Sequence, residues 1–566
     1  MKKISKHFSV LKGVKLPGLV IALSVLFSVV SMSAELTSAQ LTASVIDTSQ
    51  TAIDSRALLR YISVTAAAAV LTIAGNYFTR RMEETINLRV RCRIWEKIMH
   101  LPSRYYDEDN GNELVSRITS DAQSPSSLFS MAVSFVVCVV TAVQGFIKLY
   151  DYNTMLANYS LLIIPLTLLV CFIYGKVMYK LGIYSTVTMA GSLGYLAERV
   201  RNFRLIKSAA AEQLESAKGN ATFKRMYKAE FLNWLMIATH QLVSSLFSIL
   251  FIFVIFVIGG RLVHTGELTI GDLTAFYMIT GIVGLQLMQF FMNVGSVSGI
   301  FGTMQKINSI ADAQPEAESG RPVPELCADI KLENVSFSYH EGREVLKNVS
   351  LTIPMGKVTA IVGGNGAGKN TVFKLLVRLY EPSAGTIRFG EDNIVDYDLI
   401  SWRDRFAYVF QKDPLIGGTV RENMIYGLDR DVTEEELIEA AKKANCYGFI
   451  MEKPGGFDED VGLGGSNFSG GQAQCISIAR AMLRGADFLL LDEATSNLDV
   501  TSEALVTDAS NKLMENRTTI MIAHSYAATK NAHNVIVMCD GTVEAQGTPA
   551  ELEETNEYYK LFSRTL

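Results

Sequence analysis

Val358-Thr359-Ala360-Ile361-Val362-Gly363-Gly364-Asn365-Gly366-Ala367-Gly368-Lys369-Asn370-Thr371 decides the fold of the second half of this chain. The first five residues are an apolar, largely β-branched run, the pattern of a strand buried on both faces. Glycines follow, and a helix is expected to open at about Thr371. Strand, glycine loop and helix in that order are the context that a phosphate-binding loop requires. Glycines let successive backbone N–H groups turn towards phosphate oxygens. The helix N-terminus adds a positive dipole end, and Lys369 supplies charge where the β- and γ-phosphates would lie.

Working outward, Phe488-Leu489-Leu490-Leu491-Asp492-Glu493 is an apolar strand that ends in paired carboxylates. One acid is placed to hold a metal shell and the other to act as a base. Between these two segments stands Phe468-Ser469-Gly470-Gly471-Gln472, which a generic phosphate-loop enzyme lacks. Its small residues leave backbone donors exposed at a helix start. Further on, the strand predicted over Thr519–Ala523 delivers His524.

At 566 residues the chain is too long for one core, so at least two domains are expected. Long apolar runs concentrate before about Ile310, and the remainder alternates strands, helices and polar turns as a soluble α/β domain does. A net charge of -5, from 52 basic and 57 acidic residues, gives no case for nucleic acid as a partner. The seven cysteines show no CxxC pair and no metal-ligand spacing, and are read as reduced thiols.

Six stretches reach the roughly twenty residues that a spanning helix needs: Leu16–Met32, Tyr61–Phe78, Leu128–Phe146, Met155–Tyr174, Leu242–Gly260 and Leu273–Val297. Basic residues precede the first, follow the second and fill the segment between the fourth and fifth, whereas Glu35 to Asp54 holds neither Lys nor Arg. That asymmetry places both chain ends in the cytoplasm. The first run, ending in Ser31-Met32-Ser33-Ala34, also reads as a cleaved signal peptide. Two segments between spans are long enough for pairs of helices of about twenty residues, reaching roughly 30 Å below the membrane. On the sixth span Gln286, Gln289, Asn293 and Ser296 share one helix face. Such groups form either the polar wall of a pathway or hydrogen bonds between helices. Ser24, Ser28 and Ser31 share a face of span one, where close helix packing is the expectation. Prolines and a glycine among acidic residues make 311–329 a linker between a membrane domain, 1–310, and a nucleotide domain, 330–566. The nucleotide domain opens with Ile330–Tyr339, read as an edge strand ending in an aromatic.

Membrane spans followed by the glycine loop, Ser-Gly-Gly-Gln and Leu-Leu-Leu-Asp-Glu resemble one half of an ABC exporter, almost end to end. The resemblance implies a multi-domain membrane protein: an all-α, six-span exporter domain followed by an α/β ABC ATPase domain. It implies ATP and Mg²⁺ as cofactors, with Gly363, Gly364, Asn365, Gly366, Ala367, Gly368, Lys369, Asn370 and Thr371 around the phosphates. By position, Tyr339 stacks on adenine, Gln411 touches Mg²⁺, and Asp492 holds the Mg²⁺ shell. Glu493 is the general base and His524 the switch beside the γ-phosphate. Ser469, Gly470, Gly471 and Gln472 serve ATP held by a partner subunit, so two half-transporters must meet. Ser496-Asn497-Leu498-Asp499 contacts the partner domain. Leu101–Asp107 with Gly111–Arg117 looks like the first coupling-helix region, and Ile206–Glu212 like the second. Six spans per half also favour retaining the first run in the mature protein.

The sequence departs from the family pattern in places. The residue after the lysine is normally Ser or Thr, whose hydroxyl binds Mg²⁺; here it is Asn370. Its amide oxygen is also a hard, neutral ligand but sits one bond further out, and Asn370 is counted with Gln411 and Asp492 as a metal residue. Leu463-Gly464-Gly465 and Ala473-Gln474-Cys475 replace charged positions on either side of the signature. The expected function is ATP-driven export or outward flipping of a substrate by a dimer in the cell membrane, in contact with lipid. The alternatives are the weaker-hydrolysing or regulatory half of a heterodimer, an ATP-gated channel or regulator, and a soluble ABC-type ATPase acting on DNA. No residue pattern names the cargo.

Overall fold

The computed structural model describes residues 9–49, 54–108, 111–161, 163–325, 327–340, 342–410, 415–492 and 500–564. The chain divides into two compact units: Met1–His100 with Gly111–Gln314, and Leu101–Asn110 with Pro315–Leu566.

The first unit is helical. Its long helices are α1 (Gly18–Ser49), α2 (Ser55–Met99), α3 (Ser124–Tyr152), α4 (Ile163–Arg201), α5 (Glu212–His264) and α6 (Ile270–Asp312). Among the described residues, five stretches are long and apolar enough to cross a membrane: Gly18–Thr48, Ser55–Met99, Leu114–Tyr152, Glu212–His264 and Ile270–Phe290. The span predicted over Met155–Tyr174 falls on the short helix Thr154–Leu161 and the start of α4; residue 162 lies outside the described residues. Helix α1 continues past the apolar run Leu16–Met32 to Ser49. The polar segments read as long enough for pairs of helices are largely helical extensions of the spans themselves. Helix α5, at 53 residues, is about 80 Å long, well beyond the roughly 30 Å of hydrocarbon. Nothing in its sequence stops it, whereas α2 ends just before Pro102, where the pre-proline backbone disfavours helix.

The serine face of α1 packs on α2. Ser24 Oγ lies 2.7 Å from Thr79 Oγ1, and Ser31 Oγ 2.7 Å from Thr72 Oγ1. Between these pairs a Cβ on Gly75 would come within 3.1 Å of Ser28 Oγ. Small residues bring two backbones close enough to share hydroxyl hydrogen bonds. Helix α1 runs unbroken through Ser31-Met32-Ser33-Ala34. At the far end of α1, Asp47 accepts from Thr269 Oγ1 (2.6 Å) and Gly271 N (2.9 Å). It thereby satisfies a donor at the start of α6 that the helix cannot pair itself.

The polar face of α6 divides. Gln286 Nε2 approaches Met32 Sδ at 2.9 Å, and Asn293 Nδ2 donates to Ser134 Oγ at 3.3 Å. Gln289 is exposed, and the Ser296 side chain lies outside what the structure describes. Short helices occupy the two predicted coupling turns: Ser103–Glu108, followed by Gly111–Thr119, and Phe203–Ser208.

The second unit holds two sheets. The first has strand order β2-β1-β4-β5 and is built from β1 (Ile330–Phe337), β2 (Leu346–Ile353), β4 (Ala384–Phe389) and β5 (Asp392–Asn393). Strand β1 is therefore not an edge. Leu332 pairs with Leu351 of β2 on one side and Ile387 of β4 on the other. The second sheet has order β10-β9-β3-β8-β7-β6, from β3 (Val358–Gly363), β6 (Phe406–Val409), β7 (Phe488–Asp492), β8 (Thr518–Ile522), β9 (Asn534–Cys539) and β10 (Thr542–Gly547). Its strands are parallel except for β10. All five residues of β7 are buried, as a strand covered on both faces requires.

Helix α7 (Lys369–Leu376) follows β3; α8 (Gly470–Arg484) precedes β7 and α9 (Val500–Met514) follows it. The C-terminal carbonyls of α7 are taken up by side chains. Trp402 Nε1 donates to Leu376 O (2.8 Å), while Arg403 donates to Val377 O (3.1 Å) and Arg378 O (2.8 Å). The same guanidinium pairs both oxygens of Glu316, at 2.8 and 2.9 Å. That two-pronged geometry is the strong form of an ion pair. It ties the proline-rich connecting segment to the end of the phosphate-loop helix.

Candidate nucleotide site

Residues far apart in sequence meet because of strand register. Ile522 of β8 pairs with Ile361 of β3 on one side and with Asp492 of β7 on the other. The glycine loop, Asp492 and His524 therefore leave the sheet at the same edge, the carboxyl ends of three adjacent parallel strands. Ligands of open α/β sheets bind in that position. The loop's shape needs its glycines. Gly366 and Gly368 have φ of 82° and 97°, where a side chain is strained. A Cβ on Gly368 would also meet Leu346 Cδ2 at 2.6 Å.

Helix α7 begins at Lys369, two residues earlier than its predicted start. Lys369 is only 6% exposed. Its ammonium donates to Gly363 O at 2.7 Å and Gly364 O at 3.0 Å, so the cation is folded over the loop it serves. Asp492, 8% exposed, accepts from Asn370 Nδ2 at 3.3 Å. Asp492 supplies a hard carboxylate oxygen that suits Mg²⁺. Asn370 turns its amide N–H towards the acid, and its amide oxygen, like the Asp492 carboxylate, is a hard oxygen of the kind that suits Mg²⁺. His524 is exposed just beyond β8.

Tyr339 lies past the end of β1, and its hydroxyl is 3.2 Å from Thr371 Oγ1. Its ring meets Phe337 and Tyr380 edge-on. Sequence reasoning did not single out Tyr380 or Lys374, whose ammonium stands 5.0 Å from the Tyr339 ring and 5.4 Å from that of Tyr380. For Lys374 the available signal was its place on the helix that the loop opens. Together they make an aromatic and cationic platform beside the phosphate loop.

The signature is a helix start with a definite local cause. Ser469 caps α8: its hydroxyl accepts from Gln472 N at 3.3 Å, and Gln472 Oε1 accepts from Ser469 N at 3.0 Å. This reciprocal pair is a capping box, so both polar side chains of the motif are used at the helix end. Ser469 and Gly470 are exposed, while Gly471 is buried against α9. A Cβ on Gly471 would fall 2.6 Å from Ser502 Cβ. Cys475, one turn on, has its thiol pushed up to about 11 by burial, which keeps it protonated and inert. Gln411, Glu493 and the loop Ser496–Asp499 lie outside the described residues; Gln411 follows the end of β6 and Glu493 the end of β7 in sequence.

Residues 18–305 match the family described as ABC transporter transmembrane region, and residues 346–496 the family described as ABC transporter. A multidrug resistance ABC transporter ATP-binding and permease protein of Lactococcus lactis (strain IL1403) is 29% identical over 503 residues, 88% of this chain and 84% of the relative. An ATP-dependent lipid A-core flippase of Syntrophus aciditrophicus is 32% identical over 521 residues, 89% of this chain and 85% of the relative. A bacterial Atm1-family ABC exporter solved with ATP bound shares the fold, with a TM-score of 0.80 over 96% of each chain at 22% identity. The chain belongs to the ABC transporter family, as an exporter-type membrane domain fused to an ATP-binding domain that couples ATP hydrolysis to transport.

Proposed function

We propose that the chain is a half-transporter that exports or outwardly flips an amphipathic substrate when paired with a second half. One observation carries this reading: the glycine loop, Asp492 and His524 converge at one sheet edge in a chain whose other unit is a bundle of membrane-length helices. In this reading both termini are cytoplasmic and the first span is retained, since it is packed on α2 through shared hydroxyl bonds. ATP is held by residues 363–371, Tyr339 and Gln411 of one half and by Ser469–Gln472 of the other. Glu493 orients the attacking water, and His524 stands by the γ-phosphate. The substrate class follows the relatives, one named for drugs and one for lipid A-core. ATP-driven accumulation of a fluorescent amphiphile in inverted vesicles tests transport. Lipid-dependent ATPase without any such accumulation would favour a channel or regulator. A second reading, the slow-hydrolysing half of a heterodimer, is favoured by the Asn370–Asp492 bond. ATPase measurement on the chain purified alone separates the two.

Ser469→Arg is expected to stop hydrolysis while sparing ATP binding by the full chain, because Ser469 serves nucleotide held by the partner. Hydrolysis at the unaltered rate in this variant would exclude a composite site. On α6, Gln289→Ala is expected to change substrate-stimulated ATPase without lowering thermal stability, since Gln289 is exposed. Asn293→Ala is expected to lower stability by about 0.6 kcal/mol, the average for a bond between membrane helices, because it breaks the contact with Ser134. A thermal-unfolding comparison checks this split; equal destabilisation by both variants would make the whole face packing.

A further inference from the structure

His524 leaves the sheet between two anchors. On one side Ala523 N donates to Ile361 O of β3 at 3.1 Å. On the other, Tyr526 opens a short helix, α10 (Tyr526–Thr529), and its hydroxyl donates to Glu553 of α11 (Pro549–Thr555). Only His524 and Ser525 lie between those points. A helix of four residues does not hold itself, because its first turn costs more than it returns. What holds α10 is side-chain bonding to the C-terminal helices. Thr529 Oγ1 donates to Tyr526 O at 2.9 Å and lies 2.9 Å from Tyr559 Oη of α12 (Glu557–Arg564). A hydroxyl has one proton to give, so Tyr559 is the donor in the second bond. Thr529 and Tyr559 are both fully buried, where a group that loses its partner bears a desolvation cost.

Helices α11 and α12 are fixed to the sheet by contacts of their own. Asn556, between them, donates to Glu544 of β10 at 3.0 Å and accepts from Tyr559 N at 2.8 Å. Leu552 and Tyr559 share one apolar cluster with Ala523 and with Ala360 and Val362 of β3. The pair is therefore a fixed support on which α10 rests. We propose that α11 and α12 position His524, through the Tyr526–Glu553 and Thr529–Tyr559 bonds, and thereby set the rate of ATP hydrolysis. The inference rests on the reading of His524 as the residue beside the γ-phosphate. Tyr526, Thr529, Glu553 and Tyr559 are positioning residues, acting through the imidazole and not on the phosphates. A reacting group displaced by about 1 Å can lose roughly 10²-fold in rate. The phosphate loop is built from residues 363–371 and does not depend on α10, so ATP affinity is expected to persist when the support is loosened.

The test is ATP turnover by the full chain in lipid nanodiscs, read as phosphate release at saturating ATP. Trinitrophenyl-ATP affinity and unfolding temperature are measured on the same preparations, and turnover is assayed well below the lowest unfolding temperature. Tyr526→Phe combined with Tyr559→Phe removes both hydroxyls at constant ring size. This variant is expected to lower kcat about three- to tenfold, the scale of one or two lost hydrogen bonds, with affinity changed less than about twofold. Glu553→Ala is expected to lower kcat as well, and Glu553→Gln, which keeps an oxygen for Tyr526, to retain it. The Glu553 pair lies outside the buried contact, so it carries the comparison if loss of the Tyr559 hydroxyl unfolds the chain. The decisive step adds His524→Ala, with single-turnover release to follow slow chains. In that background the same substitutions are expected to have no further effect, because they act through the imidazole. Equal fractional losses with and without His524, or full turnover by the folded variants, would overturn the proposal while leaving the ATP site in place. Turnover absent from the unaltered chain, or unchanged by His524→Ala alone, would instead overturn the reading of His524, and this inference with it.

Discussion

Glu493→Gln is expected to lower ATP turnover by about 10²–10⁴-fold, the usual cost of losing a general base, while ATP binding persists. Strand β7 gives the reason. Phe488 to Asp492 is held in register between β6 and β8, so Asp492 stands at the edge where the glycine loop and His524 leave the sheet, and Glu493 is next in sequence. In the proposed role the Glu493 carboxylate orients the attacking water; its amide isostere keeps the size and loses the basicity. Because binding and hydrolysis are separate steps, the variant is expected to accumulate in the nucleotide-bound, dimerised form. Turnover is measured as phosphate release in lipid, and nucleotide retention on the same sample by filtration. Phosphate release at the unaltered rate would remove Glu493 from the base role and move attention to His524.

The parts of this chain legible in sequence are those where local chemistry forces the residue type. Gly366 and Gly368 take backbone angles that exclude most side chains, and Lys369 must follow them, so the phosphate loop could be read from fourteen consecutive residues. Ser469 and Gln472 likewise announce a helix start, since each satisfies the other's backbone. The serines of α1 were legible as a packing face because three small residues share one side of a helix.

What was not legible depends on partners elsewhere in the chain. Alternation along β1 reports one buried face but not how many strands lie beside it, and β1 proved to be paired on both edges. The polar lengths of α2 and α5 beyond their apolar runs carry no apolar pattern to mark them, so their continuity with the spans was not legible. The orientation of the Asn370 amide is set by a carboxylate 122 residues away, and no local pattern encodes it. The Arg403 link between Glu316 and the end of α7 is of the same kind.

Lys369→Ala is expected to weaken ATP binding by roughly 30- to 4,000-fold, the range for truncating one partner of a buried, hydrogen-bonded charge pair. The lysine has two duties that the variant separates. In the nucleotide-free loop its ammonium bonds the carbonyls of Gly363 and Gly364, which neutral backbone groups can replace with water at small cost. In the proposed site the same charge is expected to answer the β- and γ-phosphates, and no other side chain on the described loop can supply it: residues 363–368 are glycine, asparagine and alanine. Loss of affinity is therefore expected to exceed loss of stability by a wide margin. Neighbouring Lys374 cannot stand in, since its ammonium is placed over the rings of Tyr339 and Tyr380. Trinitrophenyl-ATP titration and thermal unfolding of the same preparation give the two quantities. Unchanged affinity would take the phosphates away from this loop; a collapse of stability equal to the loss of affinity would make Lys369 a structural cation of the loop and not the one that binds nucleotide.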